Sequence, residues 1–217
     1  MVLEGGVFVK NFVITITRTC GSGGTTVAKL LADAYRIDMY DRKLLQLASE
    51  DSGINERLFA AADEDMKKKP LYKAFRQVYN GELIPPESSD FTSNDNLFNY
   101  QAKVLKDLTN RESFVVIGRA ADYVLKDYPY LLRVFLHAPH EKCVEHEMDW
   151  LSTTRRRAEL EIANTDAYRS AYYKYHTGKE WESAKNYDLS LDTGIFSYEQ
   201  CKDIIMQFVE LKMKFSK

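Results

Sequence analysis

The chain has 217 residues, 45% of them hydrophobic and 29% charged, ordinary proportions that exclude a disordered or collagen-like polypeptide. Thirty basic residues against thirty-two acidic ones leave a net charge of −2, without the basic excess that wholesale binding to a nucleic-acid backbone demands. Cysteines 20, 143 and 201 are odd in number and widely spaced, which argues against a disulfide framework and for a reducing compartment. No apolar run approaches the ~18 residues of a membrane span, and the N-terminus lacks a basic, signal-like start. The reading is a cytoplasmic chain, 1–217, forming one domain with an insertion.

Residues 12–17 (FVITIT) are apolar and β-branched without polar alternation, as in a strand buried on both faces. The glycine-rich RTCGSGGTT follows, and then VAKLLADAY, whose Val27, Leu30, Leu31 and Ala34 share one helix face. Further strands are predicted at 37–41, 113–118, 131–138 and 187–192, with helical patterns between them. That alternation predicts a parallel α/β fold with helices on both faces of its sheet and a helical insertion. Residues 60–112 contain no convincing strand. Leu71, Ala74, Phe75, Val78 and Tyr79 predict one helix there, and Leu97, Gln101, Val104, Leu105 and Leu108 another. The intervening GELIPPESSDFTSNDN, with two prolines, is long enough for a mobile loop.

The strongest chemical signal is Gly21, Ser22, Gly23, Gly24, Thr25 and Thr26 between a strand and a helix. Successive backbone amides in such a turn, backed by a helix N-terminus, form a concave phosphate site. Against the pattern G-x-x-x-x-G-K-[ST], two of four fixed positions match: Gly23 and Thr25 fit, while Arg18 replaces the first glycine and Gly24 the lysine. The alternative is a turn that merely packs the helix on the strand. Thr25, at the hydroxyl position, is the candidate metal contact, and Arg18 the first candidate to replace the missing lysine, with Arg42 second. His140, Cys143 and His146 fan around a helix without a fourth ligand, so no zinc site is read there.

Together, TRTCGSGGTTVAKLLA, MYDRKLL, VVIGRAADYVL, RVFLHAP, TDAYRSAYYKYHTGKEW and NYDLSLDT resemble the cytidylate kinase-like family over about residues 11–210. The resemblance implies a three-layer α/β core of the P-loop nucleotide-kinase type around a parallel five-stranded sheet, an acceptor-binding insertion over about 60–112 and a short phosphate-covering lid over about 150–166. It implies ATP and Mg²⁺, small-molecule nucleotide substrates, and neither nucleic acid nor membrane as partner. Asp41 and Arg42 fall where such kinases contact the acceptor, or else open an ordinary helix. Arg119, at the end of a predicted strand, offers a planar fork for phosphate or forms a routine ion pair. Asp166 and Arg169 match positions holding sugar and phosphate, although i, i+3 spacing also suits a surface ion pair. Arg156, within Arg155–Arg156–Arg157, is the lid candidate. Arg18, Arg119, Arg156 and Arg169 are the catalytic candidates, since phosphoryl transfer needs converging positive charge. In cytidylate kinase itself an aspartate follows Gly–Arg, where this chain has Ala120, and the difference predicts relaxed acceptor preference. A regulatory nucleotide-binding protein without turnover is the alternative reading.

Overall fold

The computed structural model describes residues 11–68 and 79–215. The helix expected over 71–79 falls, except for Tyr79, outside the described residues.

Each of the five expected strands forms: β1 (Val13–Arg18), β2 (Asp38–Tyr40), β3 (Phe114–Ile117), β4 (Leu131–His137) and β5 (Leu189–Asp192). They make one sheet in the order β2-β3-β1-β4-β5, and all pairings are parallel. β1 lies at the centre, with Val13 aligned on Phe114 and on Leu131, which is why its residues are apolar on both sides. Strand alternation sends Ile14, Ile16, Val115, Ile117, Leu132, Val134 and Leu136 to one face, under α1 (Gly24–Tyr35) and α8 (Tyr198–Phe215). Val13, Phe114, Val116, Leu131 and Phe135 go to the other. There they meet α2 (Lys43–Ser52), α3 (Glu56–Lys68), α4 (Asn94–Thr109) and the short α5 (Ala121–Val124). The result is the expected three-layer sandwich.

α6 (His140–Leu151) and α7 (Arg155–Thr177) form a helical hairpin beside this core. Ser152 turns the corner in a left-handed conformation, and Arg155 ties the helices together by donating to both oxygens of Glu141 at 2.8 Å. The proline-containing segment before α4 is fastened down. The fully buried Asn96 accepts from the Ile84 amide at 2.8 Å and donates to the carbonyls of Ile84 and Phe91. Three hydrogen bonds from one buried side chain tie this segment to the start of α4. Among the described residues no helix is long and apolar enough to cross a membrane. All three cysteines are free and buried.

Candidate active site

Because every strand runs the same way, the segments leaving β1, β2 and β3 emerge on one edge of the sheet, the edge where such folds bind ligands. The first is the glycine loop. Gly21 and Gly23 have φ of +77° and +72°, a region that L side chains rarely occupy, and Gly23 caps α1 without any side-chain hydrogen bond to its amides. The first turn of α1 therefore offers amide donors and the positive end of the helix dipole. A Cβ at Gly21 would stand 2.5 Å from the Cys143 carbonyl oxygen, and one at Gly23 would collide with the Tyr198 ring.

Side chains brace this loop from several directions. The buried Ser22 hydroxyl donates to the Thr19 carbonyl at 2.8 Å, and Thr193 donates to the Ser22 carbonyl at 2.9 Å. Asp166 Oδ1 accepts the Cys20 amide at 2.8 Å, and Arg169 Nη1 donates to the Arg18 carbonyl at 3.2 Å and to Asp166 at 3.3 Å. α7 thus hooks the loop at two successive points. Burial pushes the Cys20 thiol up to about 12, so it stays protonated at neutral pH. Thr25 and Thr26 are exposed on the first turn of α1.

The segment after β3 has an unusual backbone. Gly118, Arg119 and Ala120 have φ of +67°, +61° and +49°, three consecutive left-handed residues. The two non-glycines are the kind of strain, of order 1–3 kcal/mol each, that gathers at functional sites. Their turn puts Arg119 on the wall of a cavity of about 520 Å³. Arg18, Asp41, Arg42 and Arg169 line the same cavity, as do Tyr168, Tyr172, Tyr173 and Trp181. Burial first, then the neighbouring Arg169 and Arg119 guanidiniums, hold Arg18 down at about 9, so it remains a cation at neutral pH while being poorly compensated. Asp41 accepts the amide of Arg42, which begins α2, whereas Tyr40 turns away to Glu112.

The structure thus brings Arg18, Asp41, Arg42, Arg119 and Arg169 to one cavity. Asp166 stands behind it, on the loop amide. Arg156 lies exposed on α7 and does not line the cavity. Trp181 and Glu56, which no sequence motif singles out, reach the cavity from distant elements, and Tyr168, Tyr172 and Tyr173 of α7 join them. Tyr173 is buried, donating to the buried Asp122 at 2.7 Å. Tyr175 leaves the group and donates to Asp95. A second cavity of about 400 Å³, on the far side of Gly21, is lined by Ala138, Lys142, His146, Thr193 and Tyr198 among others.

A parallel sheet with a glycine-cradled helix N-terminus and converging arginines at its carboxyl edge defines a phosphate-handling α/β protein. The chain belongs to the cytidylate kinase-like family, whose model matches residues 13–195. That membership supports a phosphotransfer kinase. No curated protein matches the chain. Among solved structures it is similar to an uncharacterized protein from Eubacterium ventriosum, at 21% identity and a TM-score of 0.68, over 92% of this chain and 99% of that one. It is also similar to the protein APE1195, at 18% identity and a TM-score of 0.51, over 95% and 98% of the two chains. A shikimate kinase from Acinetobacter baumannii, solved with shikimate, aligns at 17% identity over 94% and 96%. Its TM-score of 0.47 is too low to bear on the acceptor.

Proposed function

We propose that this protein transfers the γ-phosphate of ATP to a nucleoside monophosphate or a similar small phosphorylated acceptor. The carrying observation is the convergence of Arg18, Arg119 and Arg169 on one cavity beside an uncapped, glycine-lined helix N-terminus. Three guanidiniums in one partly desolvated place, where burial first and then Arg169 and Arg119 lower the proton affinity of Arg18, call for a polyanion. Amides of 21–26 suit the donor phosphates, and the exposed hydroxyls of Thr25 or Thr26 suit the Mg²⁺ that bridges them. The smaller cavity beyond Gly21 suits the donor's nucleoside. Arg119 and Arg169 hold the acceptor phosphate, with Arg42 and Asp41 at the rim. The aromatic wall of Tyr168, Tyr172, Tyr173 and Trp181 suits a base or ring. Glu56 and Ala60 of α3 contribute to the same wall, which supports an acceptor-binding role for the start of the insertion. The segment over about 150–166, the turn of the α6–α7 hairpin with the first half of α7, takes the part of the lid.

Such a site works by placing two phosphates in line and neutralising the charge between them, with little covalent chemistry asked of the protein. One observation favours the alternative, a nucleotide-binding protein without turnover: Gly24 stands where the loop lysine would be. Radiolabelled ATP with Mg²⁺ and a panel of phosphorylated acceptors decides between the two. Label moving to an acceptor supports the kinase. ATP-dependent thermal stabilisation without transfer to any acceptor supports the regulatory protein.

A further inference from the structure

The two departures of the loop from its motif are mirror images. Residues 18–25 read RTCGSGGT; a glycine at 18 and a lysine at 24 would give GTCGSGKT, which satisfies every fixed position of G-x-x-x-x-G-K-[ST]. The structure supplies the physical link between them. A Cβ on Gly24 would stand 2.6 Å from both Cβ and Cγ of Arg18, so the Arg18 stem lies directly on the Gly24 backbone. Neither partner can yield. Arg18 is the last residue of the central strand, with its carbonyl held by Arg169, and Gly24 is the first residue of α1. A lysine at 24 and an arginine at 18 exclude each other.

The far end of Arg18 is equally placed. Its Nη1 lies 2.9 Å from where a Cβ on Gly118 would be, so the side chain runs from the loop to the corner that carries Arg119. We infer that Arg18 is the cation of the phosphate loop, delivered from the end of β1 in place of a lysine from α1, and that Gly24 is glycine because Arg18 occupies its space. This rests on the kinase reading above and adds the group that touches the transferring phosphate. A guanidinium there differs from an ammonium, because its planar fork can bond one oxygen on the donor side and another on the acceptor side. Arg42, the other candidate, is exposed at the start of α2 and has no such relation to Gly24.

The test compares the wild type, Arg18→Gly, Gly24→Lys and the double variant, each assessed for ATP and ADP affinity by calorimetry with Mg²⁺ and for transfer rate. Arg18→Gly should lower the ATP-over-ADP preference by about tenfold or more, the scale of a lost charged hydrogen bond. Its kcat should fall by about 10²–10³. Gly24→Lys alone should lose ATP binding, and the double variant should recover both properties to within about tenfold of wild type, the loss from a single charged contact. Arg18→Gly keeping the wild-type ATP-to-ADP ratio overturns the inference. So does a double variant no better than Arg18→Gly, a comparison that holds even if Gly24→Lys does not fold. A wild type that binds ATP but transfers to no acceptor removes the kinase reading, and the affinity ratio still decides the role of Arg18. A wild type that binds neither nucleotide overturns both.

Discussion

At the scale of single residues, the site depends on positions where a side chain is missing. Gly23 illustrates this: its left-handed φ and its contact with the Tyr198 ring both penalise a Cβ. Gly23→Val should therefore abolish the thermal stabilisation given by ATP–Mg²⁺. Tyr198→Ala in the same background separates the two causes, since it relieves the collision and leaves the backbone strain. Unchanged stabilisation in Gly23→Val would remove the loop as the ATP site. Ala120 is the second such position. It lines the arginine-walled cavity with a methyl group, 3% exposed. A polar group built for a substrate hydroxyl or amine discriminates by orders of magnitude, and a methyl does not. The kcat/KM values for CMP, dCMP and UMP should lie within about tenfold of one another, the discrimination that a small apolar contact provides. A value for CMP of about 10⁴ M⁻¹s⁻¹ or above, with little turnover of the others, would show strict cytidylate preference instead.

At the scale of elements, α7 connects the parts of the site. Its Asp166 and Arg169 hold the loop, while Thr165, Tyr168, Tyr172 and Tyr173 from the same helix line the cavity. An i, i+3 acid–arginine pair is usually a surface ornament, and here the same spacing lets one helix face grip the chain on both sides of Thr19, at the Arg18 carbonyl and the Cys20 amide. Burial raises the Asp166 pKa, while the Cys20 amide and the Arg169 charge oppose that rise, so the carboxylate depends on those partners. Asp166→Ala leaves the Cys20 amide without its acceptor, at a cost of about 1–3 kcal/mol. For a chain of this size that corresponds to a fall in Tm of about 2–12 °C. Asp166→Asn keeps an acceptor oxygen and should recover most of the loss. Thermal melts of the two variants check this, and equal melts would show that the amide bond contributes nothing. ATP–Mg²⁺ should also stabilise Asp166→Ala less than wild type, because the loop is no longer held at Cys20.

At the scale of the whole molecule, the sheet was legible because strands buried on both faces read as unbroken β-branched runs, as in FVITIT and SFVVIG. The glycine loop was legible because its strand, turn and helix follow one another in the chain, whereas the residues that brace it, Asp166, Arg169 and Thr193, come from far along the sequence. The arginine-walled cavity was only half legible: Arg119 and Arg169 stand in recognisable motifs, whereas Glu56 and Trp181 gain meaning only when α3 and the segment after α7 fold over the sheet edge. The same long-range packing creates a titratable core group that no sequence motif marks. His176, near the end of α7, is 4% exposed and stacks on Phe98 of α4 with ring centroids 3.8 Å apart, Tyr172 and Tyr175 meeting its edges. Burial lowers its pKa from 6.5 to about 3, so the folded protein keeps the ring neutral while the unfolded chain protonates it. The stabilisation is therefore complete above pH 6.5 and is lost progressively as the pH falls from 6.5 towards 3, by up to about 1.4 kcal/mol for each unit. His176→Phe preserves a flat ring against Phe98 and removes the proton-binding group. Its stability relative to wild type should rise as the pH drops from 7 to 4.5, by up to about 3 kcal/mol at the acid end. Denaturant titrations at pH 7, 6, 5 and 4.5 measure that difference directly. A gap independent of pH would mean that His176 does not carry the acid sensitivity of the α4–α7 packing.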